Sequence, residues 1–287
     1  MSRIAYVNGR YLPHRNASVH IEDRGYQFAD GVYEVVALIN GRTVDEEPHL
    51  DRLERSLREL RIEMPMTRTA LKLILREVAR RNRIRTGLIY MQITRGVARR
   101  DHPFPKHATP ALVVTARRLA LPSADAVDAG VRVITIPDIR WERCDIKSVG
   151  LLPNVLGKQQ AREAGAYEAW QVDRTGAVTE GTSTNAWIVT KDGELVTRPA
   201  SNAILNGITR LTILKLAKAE GLRFHERTFS VAEAKTAREA FISSATSFVL
   251  PVTQIDDDVI GNGKAGSLSM RLRRAYDAYT AEIPATA

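Results

Sequence analysis

Arg140-Trp141-Glu142-Arg143-Cys144-Asp145-Ile146-Lys147-Ser148 is the stretch on which the reading of this chain turns. It follows a predicted strand at Val131–Ile136 and precedes the apolar run Val149–Leu152, so Lys147 stands in an apolar and aromatic setting. Lysine is sparse in the chain, nine residues against thirty-three arginines. A lysine withdrawn from water has a lowered pKa, because burial penalises the ammonium form, and the neutral amine attacks a carbonyl to form an imine. By spacing alone a surface lysine is the plainer reading. Cys144 is the single cysteine, so neither an internal disulfide nor a thiolate zinc cluster can form. Its thiol reads as a small buried hydrophobe in preference to a catalytic group.

Two further segments are unusual in the same half of the chain. In Val178-Thr179-Glu180-Gly181-Thr182-Ser183-Thr184-Asn185 an acid on a strand precedes a glycine and four small polar residues. Such a turn offers hydroxyls and N–H groups to an anion, and the acid can pair with a cationic ring nitrogen. A polar turn with an incidental glutamate explains it as well. Leu205-Asn206-Gly207-Ile208-Thr209-Arg210 opens an amphipathic helix. Free N–H groups and the positive end of the helix dipole make such a start a phosphate site, with the Thr209 hydroxyl as an added donor. An ordinary helix start with glycine near the cap looks the same.

Around these segments the chain reads as alternating elements. Ile4–Val7 and Arg10–Leu12 flank Asn8-Gly9, a type I′ hairpin signal. Tyr33–Ile39 is a β-branched and aromatic run. Leu50, Leu53, Leu57 and Leu60 predict an amphipathic helix over Pro48–Ile62, with Asp51/Arg55 and Glu54/Arg58 at i,i+4 spacing on its wet face. Leu71, Ile74, Leu75 and Val78 predict a second helix, and Leu88–Thr94 and Ala111–Ala116 read as strands. This is an α+β first domain, 1–118. The pattern lapses at 119–124, read as a linker, and a larger domain follows over 125–287. Its predicted strands are Val131–Ile136, Glu168–Val172, Ala177–Thr179, Ala186–Thr190 and Glu194–Thr197. Its predicted helices are Asn154–Ala164, Ile208–Glu220 and Gly266–Ala281. Gly221 stands at a C′ position, and Ser230 with Glu233 forms a capping box.

Composition narrows the function. The net charge of +9 would attract nucleic acid, yet the arginines are spread through helices that also carry acids. Aromatics are only 6% and do not interleave with the basic runs, so small anionic substrates are the more natural partners. No apolar run approaches the roughly 20 residues that span a bilayer. The N-terminus lacks the hydrophobic stretch of a secretory signal, which together predicts a cytoplasmic protein with no membrane partner. Metal-ligand spacing, a GxSxG elbow, a P-loop and a GxGxxG fingerprint are all missing, so no metal is expected.

Taken in order, the motifs resemble the fold-type IV pyridoxal-phosphate enzymes, and among these the D-amino acid transaminases most closely. The resemblance is carried by Glu22-Asp23-Arg24-Gly25-Tyr26-Gln27-Phe28, Asp30-Gly31-Val32-Tyr33-Glu34-Val35, His49-Leu50-Asp51-Arg52-Leu53, Thr94-Arg95-Gly96 and Cys144-Asp145-Ile146-Lys147-Ser148. It runs from Asn8-Gly9 to Gly263-Lys264. It implies a two-domain α+β fold, with a smaller N-terminal α/β sandwich and a larger C-terminal pseudo-barrel. It implies pyridoxal 5′-phosphate as cofactor, carried as an imine on Lys147, with Glu180 keeping the pyridine nitrogen protonated. Arg52, the N–H groups of Ile208 and Thr209, the Thr209 hydroxyl and the turn at Ser244 and Ala245 would hold the phosphate, and Leu205 would pack against the ring. Ala245 departs from the pattern, since a threonine hydroxyl often stands there, which implies weaker cofactor retention. Tyr33, Arg100 and His102 match the family's trap for the substrate α-carboxylate, with the Arg-x-His pair reaching in from a neighbouring subunit of a homodimer. Asp101 inside that pair would offset its positive charge. The implied activity is ping-pong transfer of the amino group of a D-amino acid to a 2-oxo acid. Branched-chain L-amino acid aminotransfer and aminodeoxychorismate cleavage are the alternatives on this fold, and a non-catalytic basic nucleic-acid-binding protein is the alternative off it.

Overall fold

The computed structural model describes residues 3–283 and divides into two compact units. Of the described residues, the first comprises 3–120 together with Ile146–Gly150 and Ile283, and the second Leu121–Asp145 with Leu151–Glu282.

In the first unit, β1 (Ile4–Val7) and β2 (Arg10–Pro13) form the expected hairpin, with Asn8 and Gly9 both at positive φ. A short helix α1 (Arg24–Phe28) follows, then β3 (Gly31–Ile39), β4 (Arg42–Thr43), α2 (Glu46–Glu59), α3 (Arg68–Arg81), β5 (Gly87–Thr94) and β6 (Ala111–Arg118). The six strands make one sheet in the order β2-β1-β6-β5-β3-β4, and every pairing is antiparallel. Leu50, Leu53 and Leu57 of α2 and Leu71, Leu75 and Val78 of α3 join Val32, Val36, Ile89 and Met91 of the sheet in one core. Burying each such side chain contributes roughly 1.5–3 kcal/mol. On the wet face of α2, Asp51 and Glu54 meet Arg68 of α3, at 2.6 and 2.9 Å. One guanidinium thereby bridges the two helices.

Ile146–Gly150 belongs to this first unit although it lies well beyond 119–124 in the chain. Two interactions explain it. Ile146 is 5% exposed and packs in the first core, and the backbone beyond it pairs with the start of β3.

The second unit contains α4 (Ala124–Ala129), β7 (Val131–Pro137), α5 (Leu152–Glu163), β8 (Glu168–Val172), β9 (Val178–Gly181), β10 (Asn185–Val189) and β11 (Leu195–Thr197). It continues with α6 (Ile208–Ala219), β12 (Phe224–Glu226), α7 (Val231–Lys235), β13 (Glu239–Ser244), β14 (Phe248–Ile255), β15 (Asp258–Val259) and α8 (Ser267–Glu282). Its nine-stranded sheet runs β12-β11-β10-β13-β14-β7-β8-β9, with β15 on β14, and mixes parallel and antiparallel pairs. Strands β13 and β14 were not foreseen. Both are buried nearly throughout, so they show no alternation of apolar and polar residues, and Pro251 lies inside β14. Gly221 ends α6 at φ +66, and the Ser230 side chain accepts the Glu233 N–H as a cap should.

Candidate active site

The first unit holds Lys147 and Arg52, the arginine expected to grip a phosphate. The backbone of the Lys147 segment is held on both sides: its N–H donates to the Ser56 hydroxyl at 3.3 Å and its carbonyl accepts from Tyr33 N–H at 3.0 Å. Val149 N–H then donates to the Gly31 carbonyl. The Lys147 Nζ consequently stands 4.3 Å from the centre of the Tyr33 ring, which stacks in turn on Tyr90 at 5.6 Å. The Tyr90 phenol is pushed up to about 12 by burial, with neighbouring Tyr33 adding to the effect, so it remains protonated.

Side chains alternate along β3, so Glu34 projects from the face opposite Tyr33 and towards α2. There Arg52 meets it as a fork, Nε to Oε1 at 2.8 Å and Nη2 to Oε2 at 2.9 Å, and His49 Nδ1 lies 2.7 Å from Oε2. Burial of Glu34 would raise its pKa. The Arg52 charge and the hydrogen bonds from Arg52 and His49 outweigh that and hold it far below the usual carboxylate range. Arg52 is thereby fixed in direction. Nothing local marked Glu34 or His49 as its partners.

The loop bearing Arg100 and His102 also belongs to this unit. Both residues are exposed, and both lie against the Phe28 ring, at 4.6 and 5.7 Å. Asp101 turns its carboxylate to the His102 N–H at 2.8 Å. The three residues of the expected carboxylate trap are thus seated in two places, Tyr33 with Lys147 and the Arg-x-His pair on Phe28.

The second unit holds the acid and a set of anion donors. Glu180 lies at the end of β9, 5% exposed, and its Oε1 takes a charge-assisted hydrogen bond from Arg140 and another from Leu205 N–H at 3.0 Å. Oε2 accepts from Asn185 Nδ2 at 3.0 Å. Arg140 is itself seated by Asp138, whose carboxyl lies below its ordinary range: burial opposes this, and the Arg140 hydrogen bond and charge overcome it. Cys144 donates to the Trp141 carbonyl, and burial above all pushes its thiol up to about 11, with Arg140 opposing. At neutral pH it is a neutral thiol and no nucleophile.

Helix α6 begins at Ile208, and its N-cap, Gly207, supplies no side-chain hydrogen bond. The first N–H groups of the helix are thus left as donors, with Thr209 buried beside them. A Cβ on Gly207 would come 2.1 Å from Asn185 Oδ1, so this close approach requires glycine. The turn after β13 gathers three hydroxyls: Ser244 Oγ is 3.0 Å from Thr246 Oγ1 and 2.8 Å from Ser247 Oγ, with Ala245 between them in sequence. A buried carboxyl group paired with Arg140, an uncapped helix start and a hydroxyl-rich turn are polar groups of the kind that a phosphorylated pyridine uses, and they fit that group. Sequence reasoning did not single out Arg140 and Asn185 as partners of Glu180, since no motif marks the partners of a buried acid. Among the described residues no group of three or more His, Cys, Asp and Glu could hold a metal ion.

Each unit thus presents its own part of this chemistry, a lysine on a tied backbone in the first and a buried acid with an uncapped helix start in the second. The profile of the amino-transferase class IV family matches residues 31–255, and the chain belongs to that family. It is 42% identical to a D-alanine aminotransferase of Bacillus licheniformis over 93% of this chain and 94% of that one. It is 40% identical to the D-alanine aminotransferase of Staphylococcus aureus strain N315, with 96% of each covered. Among solved structures, a T.th. branched-chain amino acid aminotransferase with pyridoxamine 5′-phosphate superposes with a TM-score of 0.89 at 27% identity, over 99% of this chain and 96% of that one. A branched-chain aminotransferase from Escherichia coli shares the fold, at TM-score 0.87 and 23% identity, over 100% of this chain and 96% of that one. The expected fold-type IV architecture is therefore present, and the protein is an aminotransferase.

Proposed function

We propose that this protein is a pyridoxal-phosphate-dependent D-amino acid aminotransferase, which passes the amino group of a donor such as D-alanine to a 2-oxo acid such as 2-oxoglutarate in ping-pong fashion. The observation that carries the reading is the Lys147 amine held 4.3 Å over Tyr33 by a backbone tied to β3 and α2. The D-alanine aminotransferases at 40–42% identity over nearly the whole chain support the substrate class. They favour it over branched-chain L-amino acids.

Bound pyridoxal phosphate supplies the carbonyl that the amine captures and the electron sink for the substrate α-carbon. The chain's own residues do the rest. Lys147 would anchor the cofactor, and its amine, when free, would take the α-proton and return it as general base and acid. Glu180, bonded to Arg140 and oriented by Asn185, would pair with the pyridine nitrogen. Arg52, the N–H groups of Ile208 and Thr209, the Thr209 hydroxyl and the Ser244-Ala245 turn would hold the phosphate, and Leu205 would pack on the ring. Tyr33, Arg100 and His102 take the α-carboxylate, because a guanidinium fork matches its geometry. Fixing that group selects the face of the α-carbon presented to Lys147. Arg100 and His102 are exposed on their own protomer, which suits a loop serving the site of a second subunit, so the working form is a homodimer. Among the described residues no helix is long and apolar enough to cross a membrane, and we place the enzyme in the cytoplasm with amino acids and 2-oxo acids as its partners.

The test is to offer D-alanine or L-leucine with 2-oxoglutarate and resolve the glutamate formed by chiral chromatography. D-glutamate from D-alanine is expected. L-glutamate from L-leucine as the dominant product would make it a branched-chain enzyme.

A further inference from the structure

Arg100 and His102 lie on a stretch with little regular secondary structure, and both are exposed. A cation free to swing on such a loop would orient a carboxylate poorly, since a misplacement of about 1 Å can cost on the order of a hundredfold in rate. The loop is not left free. Arg24, 3% exposed, donates from Nη1 to the Asp101 carbonyl at 2.6 Å and from Nη2 to the His102 carbonyl at 3.3 Å. Its Nε donates to Asp30 Oδ2 at 2.7 Å. Asp30 also receives Arg95, Nε at 2.7 Å and Nη2 at 3.0 Å. Arg95 donates to the carbonyls of Leu60 and Arg61, and its guanidinium lies 3.7 Å from the centre of the Phe104 ring. Phe28 serves as a common platform for the guanidinium of Arg24 at 4.7 Å, for Arg100 at 4.6 Å and for the His102 ring at 5.7 Å. One largely buried carboxylate thus gathers two arginines that grip the loop on either side of Pro103.

We infer that Arg24, working with Asp30, Arg95 and Phe28, is a positioning residue that sets the strictness towards D-amino acids by fixing Arg100 and His102, without itself touching the substrate. The inference rests on the proposed role of Arg100 and His102 as carboxylate ligands. Arginine is required at position 24 because one planar fork serves Asp30 and two carbonyls in fixed directions, which the single ammonium of lysine cannot do. Burial pushes the Asp30 pKa up, and hydrogen bonds from Arg95 and Arg24 outweigh it and hold the pKa below the ordinary value.

The test compares the holoenzyme with Arg24→Lys, Phe28→Leu, Arg100→Ala and the Arg24→Lys/Arg100→Ala double variant. Steady-state constants are measured for D-alanine and L-alanine, alongside Tm and the visible absorbance of the lysine-bound cofactor. Arg24→Lys and Phe28→Leu are each expected to raise KM for D-alanine about tenfold, leave kcat within about twofold and lower the D-to-L preference, with the absorbance unchanged. In the double variant KM for D-alanine should rise by less than the product of the two single effects, because Arg24 acts through the loop that carries Arg100. A lower Tm with KM and preference intact would make the clamp purely structural and overturn the inference. Loss of the absorbance would overturn it too, by putting the effect on the cofactor. Should Arg24→Lys not fold, Phe28→Leu, which keeps the apolar bulk, decides the matter by the same constants. A wild type without preference for D-alanine, or an Arg100→Ala variant with unchanged KM, removes the functional reading first and the clamp with it.

Discussion

Arg52 and Arg100 carry the same guanidinium, and the fold treats them in opposite ways. Arg52 lies in a largely buried network, forked onto a Glu34 that is wholly buried and shared with His49. Arg100 lies in the open, resting on Phe28, on a loop whose backbone is held by Arg24. The second unit repeats the first pattern around Glu180, where Arg140 and Asn185 surround a buried acid. Removing a charge from water demands a partner of excellent geometry, and losing one member of such a pair leaves the other uncompensated. An exposed cation needs no such partner and keeps its donors for an incoming ligand. Residues proposed to keep a resident cofactor are thus built as closed ionic networks, and those proposed to meet a transient substrate are left open and placed by their neighbours.

The comparison can be tested from its largest expected effect downwards. Lys147→Ala should abolish the visible absorbance of bound cofactor and cut transamination by about four orders of magnitude or more, as removal of an essential nucleophile does. Normal turnover would end the assignment. Arg140→Met should cost about 3–5 kcal/mol in urea unfolding, because it strands Glu180 and Asp138 as buried charges. A loss under about 1 kcal/mol would show that the second network is not closed.

Acid should act through the same networks. Glu34 has a pKa far lower in the folded chain than in the unfolded one, so its stabilisation is complete above the ordinary glutamate range and is lost as pH falls below about 4.3. Glu34→Gln should lower stability at pH 7 and flatten the acid limb by up to about 1.4 kcal/mol per pH unit, read from unfolding curves at pH 3 to 5. Arg100→Ala should change stability by less than about 0.5 kcal/mol while raising KM for D-alanine, the reverse of the buried arginines. The smallest effect belongs to Ala245→Thr, which should slow cofactor loss on dialysis about two- to fivefold by adding one hydroxyl to the Ser244–Ser247 turn.

Local structure was largely legible before any coordinates. The Asn8-Gly9 hairpin, the leucine spacing of α2 and α3, the cap at Ser230 and the glycine after α6 are each encoded within a few consecutive residues, and all are present. Strands β13 and β14 were not, because burial on both faces erases alternation and no turn signal separates them. For the proposed site, the motif order pointed to Lys147, Glu180, Arg52 and the start of α6. It did not supply Glu34, Arg140, Asn185 or Arg24, whose importance is visible only through the groups they hold.

What the sequence by itself determined, then, is most of the local elements and the chemical identity of the residues proposed to anchor a cofactor. Only the tertiary structure decided that Ile146–Gly150 joins the first unit, that Arg140 meets Glu180 across 40 residues of chain, and that Arg24 grips a loop 77 residues away. The reason is physical. Capping and periodicity act within one or two turns, whereas a buried charge selects its partner from whatever folding brings within about 3 Å, and that neighbour is written in no local window.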